Sequence, residues 1–193
     1  MRIIAILIVL SHFAGGCAVS SSAESKCSFS TNTFDCGNFL SCEEIFTKLE
    51  IKDKEIIDIS TLISMRDFLI LLESIESGKR CAQRLGFRIF GVSLDSSLAG
   101  YMEELSTSLS YSIEKNPAAF LQELPNNFLK HADILASLSC GIREEYWEDS
   151  EYTKTQLQKR LIQIDNVKNT DLISKKEIIK NSIQNYLNNY YQD

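Results

Sequence analysis

The chain has 193 residues, is 44% hydrophobic and carries a formal net charge of -6. Its length suits one domain with a substantial core, and its apolar fraction excludes a disordered chain. The acidic balance speaks against wholesale nucleic-acid binding, which needs cations to meet phosphates, and two prolines with eight glycines are too little turn punctuation for a sandwich or barrel of many short strands.

The N-terminus reads as an export signal, with Arg2, the apolar run Ile3 to Leu10 and then small residues. The run is too short to span a bilayer as a helix. Two ends fit this leader. Ser21-Ser22-Ala23 is a small-x-small cleavage site that gives a soluble product beginning at Glu24. Ala14-Gly15-Gly16-Cys17 resembles a bacterial lipoprotein box, with Ala14 where that pattern usually has Leu, and implies a lipid on Cys17 followed by a flexible tether at Ser20 to Ser22. The expected division is a leader over 1–23, or 1–16 for a lipoprotein, an irregular cysteine-containing segment over 24–40, and one helical domain over 41–193.

Cys27, Cys36, Cys42, Cys81 and Cys140 remain after either cleavage, a count that suggests disulfides in an exported chain. The expectation is one bridge within Cys27, Cys36 and Cys42, and a second from the remaining member to Cys81 or Cys140. Five is odd, so one thiol is left over unless Cys17 is retained. Zinc fits poorly, because there is no C-x-x-C pair and the one mature histidine, His131, is not near a cysteine in sequence. No metal and no cofactor are expected.

Ser41-Cys42-Glu43-Glu44 is an S-x-x-E capping box, predicting a short helix to about Leu49 with Ile45, Phe46 and Leu49 inward. A second helix is predicted over Thr61 to Ser77, with Leu62, Met65, Phe68, Leu69, Leu72 and Ile75 on one stripe, and Gly78 as its stop. Lys79 to Phe90 is ambiguous. Arg80, Arg84 and Arg88 fall on one helical face, yet Gly86 and Gly91 suit a short extended piece. The arginine stripe reads either as an anion site or as a solvated face pairing with the surplus carboxylates.

Asp95 to Leu124 is the clearest structural stretch. Leu98, Met102, Leu105, Leu109 and Ile113 form one helical stripe behind an Asp95 N-cap. Asn116 then caps a second, short helix with Pro117 at its first position. Glu103, Glu104, Ser108 and Ser112 are expected on the polar face. Past Pro125, a helix capped by Asn126 or Asn127 is predicted to carry Phe128, Leu129, Ala132, Leu135, Ala136 and Leu138 to Cys140, with Gly141 closing it. Two more helices follow. One runs from about Thr153 to Val167 with Leu157, Leu161 and Ile164 inward; the other runs from Ser174 with Ile179, Ile183, Tyr186, Leu187 and Tyr190 inward, after the break at Asn169-Thr170-Asp171.

The fold class is therefore all-α, with six to seven helices. The long helix ending in Asn-Pro-Ala-Ala-Phe-Leu at Asn116 to Leu121 is similar to the corners of HEAT-like repeat proteins, including small exported bacterial ones. That resemblance implies an irregular stack of helix pairs and a protein-binding scaffold, behind a disulfide-pinned N-terminal segment.

No catalytic set is evident. No serine lies in G-x-S-x-G, and His131 reads as a structural residue. Adjacent glutamates such as Glu103-Glu104 and Glu144-Glu145 are face residues in so acidic a chain, although a hydrolase needs only two carboxylates. The functional candidate is Glu144, Glu145, Tyr146, Trp147, Glu148, Asp149 and Tyr152, where acids that attract a cationic partner flank large aromatic contact surfaces. The competing reading has Trp147 and Tyr146 covering the edge between two helices while the acids face water. The function expected is an exported bacterial envelope protein binding another protein, as an inhibitor or toxin-immunity protein, with membrane contact only through a lipid on Cys17. The alternatives are a secreted carboxylate hydrolase and a structural lipoprotein.

Overall fold

The computed structural model describes residues 36–37, 41–44, 62–94 and 99–191, so the predicted leader, Cys17, Cys27, the predicted inward residues Ile45, Phe46, Leu49 and Leu98, and the proposed Asp95 cap lie outside the described residues. The described chain is all-helical. Its α-helices are α1 (Met65–Glu76), α2 (Arg80–Ser93), α3 (Ala99–Lys115), α4 (Pro117–Glu123), α5 (Ala132–Cys140), α6 (Ser150–Asp165) and α7 (Ile173–Tyr190). With a further helical turn over 41–44 the count is eight, one above the expected range.

Helix α1 starts later than its apolar pattern suggests because Ser64, not Thr61, caps it. The Ser64 hydroxyl oxygen accepts from the Asp67 backbone N–H at 3.1 Å and its O–H donates to the Asp67 carboxylate at 2.7 Å. Phe68, Leu71, Leu72 and Ile75 are buried, each contributing about 1.5–3 kcal/mol of apolar transfer. Met65 and Leu69, expected on that stripe, are instead exposed. The helix ends at Gly78 as expected, with φ +79°, Gly78 N–H bonded to Ile75 O and Lys79 N–H bonded to Ser74 O. These two bonds form a Schellman stop, which a left-handed glycine completes without strain.

The ambiguous stretch is a full helix, α2, and it runs through both glycines. Gly86 is there for contact rather than for a break, since a Cβ at Gly86 would stand 2.7 Å from Ile75 Cδ1. Small residues let α2 press against α1 and α3.

Helix α3 is the centre of the fold and packs against α1, α2, α4, α5 and α6. Leu105, Leu109 and Ile113 are buried as predicted, but Ser106, Ser108, Ser110 and Ser112 are buried too, so Ser108 and Ser112 do not form a solvent face. The buried hydroxyls cost little, because Ser110 donates to Ser106 O, Ser112 to Leu109 O and Ser108 to Glu76. The corner that follows is as read from the sequence. Asn116 Oδ1 accepts from Ala119 N–H at 3.2 Å, Pro117 opens α4, and Asn116 Nδ2 donates to Gly78 O at 2.9 Å, which ties this corner to the end of α1.

The predicted helix from Asn126 to Cys140 is divided. Asn126–Lys130 form a 3-10 turn that buries Phe128, and α5 begins only after His131. Helix α6 starts at Ser150 under an Asp149 cap, three residues earlier than expected. Its inward stripe is Leu157, Arg160 and Ile164, with Leu161 only half-buried. In α7, Ile179 and Ile183 are buried as expected, whereas Tyr190 is exposed.

Cys36 and Cys81 form a disulfide that ties the N-terminal region to the first turn of α2. Its sequence separation of 45 corresponds to about 4 kcal/mol of loop entropy removed from the unfolded chain. Cys42 is also disulfide-bonded, to a residue outside those described. Cys140, the other disulfide candidate, is a buried free thiol, because its place at the end of α5 is enclosed by the core. A disulfide points to maturation in an oxidising compartment, and no helix among the described residues is long and apolar enough to cross a membrane.

Candidate functional site

The segment after α5 is held by an arginine that sequence reasoning missed. Arg160 is 0% exposed, lies 4.7 Å from the Tyr111 ring centroid, and directs Nη1 to the carbonyls of Ser139 at 3.1 Å and Gly141 at 2.9 Å. Carbonyls at the end of a helix favour a cation. Burial pushes the guanidinium pKa down, and the Glu114 carboxylate 3.4 Å from Nε opposes that. The sequence signal was present, since Arg160 stands between Leu157 and Ile164 at core spacing. Gly141 completes the anchor. A Cβ there would meet Thr107 Cα at 3.0 Å, and Gly141 N–H donates to Ser110 Oγ at 3.1 Å.

From this anchor the chain turns through a 3-10 segment, Glu144–Tyr146, into Trp147. The indole Nε1–H donates to Ile142 O at 2.8 Å, yet Trp147 is 52% exposed. Arg143 pairs with Glu76 at 2.5 Å and lies 5.2 Å from the Tyr111 centroid. Tyr146 stacks on Tyr152 at 4.0 Å, and the Tyr152 hydroxyl meets that of Tyr111 at 3.3 Å. Burial raises the Tyr111 pKa well above its ordinary value, so the hydroxyl stays protonated. The tryptophan is thus held on a hydrogen-bonded turn.

The predicted site residues separate into two groups. Tyr146 and Tyr152 are half-buried packing partners, and Asp149 caps α6 by accepting from Tyr152 N–H at 2.8 Å. Glu148 is exposed. Glu144, Glu145 and Trp147 instead line a groove of about 580 Å³ that also takes in Glu73 and Glu76 from α1 and Glu103 and Glu104 from α3. Leu69, Leu72, Ile142 and Trp147 supply its apolar surface. Six carboxylates therefore face one cation, Arg143, in this groove. Leu69, 50% exposed, explains itself here as groove lining.

A second cleft, of about 410 Å³, is also lined by Trp147 and shares Glu103, Thr107 and Ile142 with the first. Tyr186, Tyr191, Cys140 and Thr153 also line it. Thr153 is 2% exposed and its Oγ1 has no hydrogen-bond partner.

The other sequence candidates are closed. Arg84 forks onto Glu123, Nε to Oε2 at 2.8 Å and Nη2 to Oε1 at 3.1 Å, Arg80 joins the same carboxylate, and Arg88 lies 3.8 Å from Glu43. The arginine stripe is thus an ion-paired face. His131 is exposed at the break before α5. Burial pushes the Cys140 thiol up to about 11, which makes it a poor nucleophile. Among the described residues no group of three or more His, Cys, Asp or Glu is placed to hold a metal ion.

Comparison with protein-family models, curated proteins and solved structures found no match, so the functional argument rests on this site alone.

Proposed function

We propose that the protein is an exported binding module that captures a cationic partner protein in the groove around Trp147, acting in the cell envelope as an inhibitor or immunity protein. The observation that carries this reading is the tryptophan. An indole whose only donor is already satisfied, and which remains half-exposed on a hydrogen-bonded turn, serves as a contact surface. The surrounding carboxylates add charge complementarity, which steers a basic partner and excludes an acidic one.

The HEAT-like part of the reading is supported at one corner, Asn116 to Leu121. The packing of α1, α3, α5 and α7 in succession, and of α2, α4 and α6 beside them, adds support, since a stack of helix pairs makes contacts of this kind between neighbouring units. A lipid anchor on Cys17 or release from Glu24 belongs to the same proposal, and the mass of the mature chain separates the two. The hydrolase alternative draws no support from the titrating carboxylates. Glu123 and Asp165 are both shifted down, the direction of ion pairing rather than of a general acid.

The test is co-purification of the mature chain from an envelope extract beside its Trp147→Ala variant. The expected result is a stoichiometric basic protein with the parent and at least ~10-fold less with the variant, at unchanged helicity and thermal midpoint. A partner retained equally by both, or no partner together with turnover of a glycan or peptide panel, overturns the reading.

A further inference from the structure

Resting on that reading, we infer that the second cleft is a receptor for an arginine side chain of the partner's basic segment, held between the faces of Trp147, Tyr186 and Tyr191, the Glu103 carboxylate and the Thr153 hydroxyl.

Trp147 has spent its N–H on Ile142 O, so its exposed part presents a π surface and edge, not a donor. Tyr186 and Tyr191 bring two further rings to the same cleft. Such surfaces attract apolar groups and cations. The single charged lining residue, Glu103, selects the cation. Arg160 lies behind Gly141 but does not line the cleft, and its charge is met by Glu114.

Thr153 points to a ligand independently of the charge pattern. A hydroxyl that is 2% exposed and unpartnered carries a desolvation penalty that the fold itself does not offset. Thr153 lines the cleft, so a turn of its side chain that exchanges hydroxyl and methyl brings the oxygen to a donor entering there. An arginine fits better than a lysine. Its planar guanidinium stacks on aromatic faces, is weakly hydrated, and carries several N–H groups in a fixed fork that serve a carboxylate and a hydroxyl at once. The neighbouring groove then accommodates further basic residues beside it, since Glu103 lines both cavities.

The experiment measures binding of fluorescently labelled oligoarginine, oligolysine and oligoglutamate peptides of equal length to the full mature chain by anisotropy at physiological salt. Oligoarginine is expected to bind ~5-fold or more tightly than oligolysine, the margin of the one further hydrogen bond that the guanidinium fork makes to the Thr153 hydroxyl. Oligoglutamate is expected not to bind. Thr153→Val, which keeps the shape and removes the hydroxyl, should fold with no loss of thermal midpoint and bring oligoarginine down to the oligolysine level. Trp147→Ala should weaken both cationic peptides. Equal binding of the two, both sensitive to Trp147→Ala, overturns the arginine cleft and leaves the acidic-groove reading standing. Binding of neither, or binding insensitive to Trp147→Ala, overturns both. Oligoglutamate binding to the cleft overturns the choice of a cation.

Discussion

Two charged regions of this molecule look alike as sequence and differ in structure. The arginine face of α2 is answered from elsewhere in the chain: Arg80 and Arg84 share Glu123 on α4, and Arg84 and Arg88 approach Glu43. Most of the glutamates around Trp147 are not. Of the six, Glu76 pairs with Arg143, while Glu73, Glu103, Glu104 and Glu144 have no cation within ion-pair distance among the described residues. The lesson is that charge on a helix face carries little functional information until its partners are known. A paired face is finished as structure, whereas most of the acids around the exposed apolar floor of the groove have no such cation among the described residues.

The sharpest way to break this comparison is at the buried pair that supports the turn beneath Trp147. Arg160→Met leaves the Glu114 carboxylate with Lys159 as its remaining cation, and leaves the Ser139 carbonyl without its donor and Gly141 without its anchor. The expected loss is about 3 kcal/mol in urea unfolding, because removing one member of a buried pair strands the other. The double change Arg160→Met with Glu114→Gln should recover part of it. A loss under about 1 kcal/mol would show that Arg160 is not the anchor.

A smaller effect is expected at the finished face. Burial raises the Glu123 pKa, but the hydrogen bonds from Arg84 and Arg80 outweigh it and hold the carboxyl below its usual value. A lowered folded-state pKa contributes stability above the unfolded value of about 4.3, and that contribution is lost as pH falls through the folded value. Glu123→Gln should therefore cost about 1 kcal/mol near neutral pH, discounted for the solvent exposure of Arg80, and the gap from the parent should close in acid. A gap that widens as pH falls would reverse the sign of this pairing.

The smallest effect belongs to the open groove. Glu73→Gln, Glu104→Gln and Glu144→Gln together should change unfolding stability by no more than about 0.5 kcal/mol, since none of these side chains has an ion pair to lose. They should weaken a cationic partner and flatten its salt dependence. Destabilisation well beyond that amount would place these acids with the paired face and remove the contrast.

Much of this was legible beforehand where the physics is local. The Gly78 stop, the Asn116 cap with Pro117, and the stripe of Leu105, Leu109 and Ile113 depend on residues within one or two turns of each other. The glycines misled at Gly86, because a glycine that breaks a helix and one that lets two helices touch are identical in sequence. Aromatic-rich 144–152 was recognised as a unit, but its division into packing rings, a helix cap and one presented tryptophan was not. That division depends on Tyr111, Ile142 and Glu76, supplied by other parts of the fold.

By itself, then, the sequence determined an all-helical chain, the stop at Gly78, the corner at Asn116-Pro117, and the disulfide-bearing character that goes with export, because periodicity, caps and cysteine count are short-range or compositional properties. Only the tertiary structure decided which charges are paired, that Arg160 lies in the core, that Cys140 is the free thiol among the described cysteines, and that glutamates from three separate segments gather around Trp147. The deciding contacts join residues 39, 46 and 67 positions apart, as in Arg84 with Glu123, Arg160 with Glu114 and Arg143 with Glu76. No local rule reaches that far, since such pairs exist only once helix packing has brought the elements together.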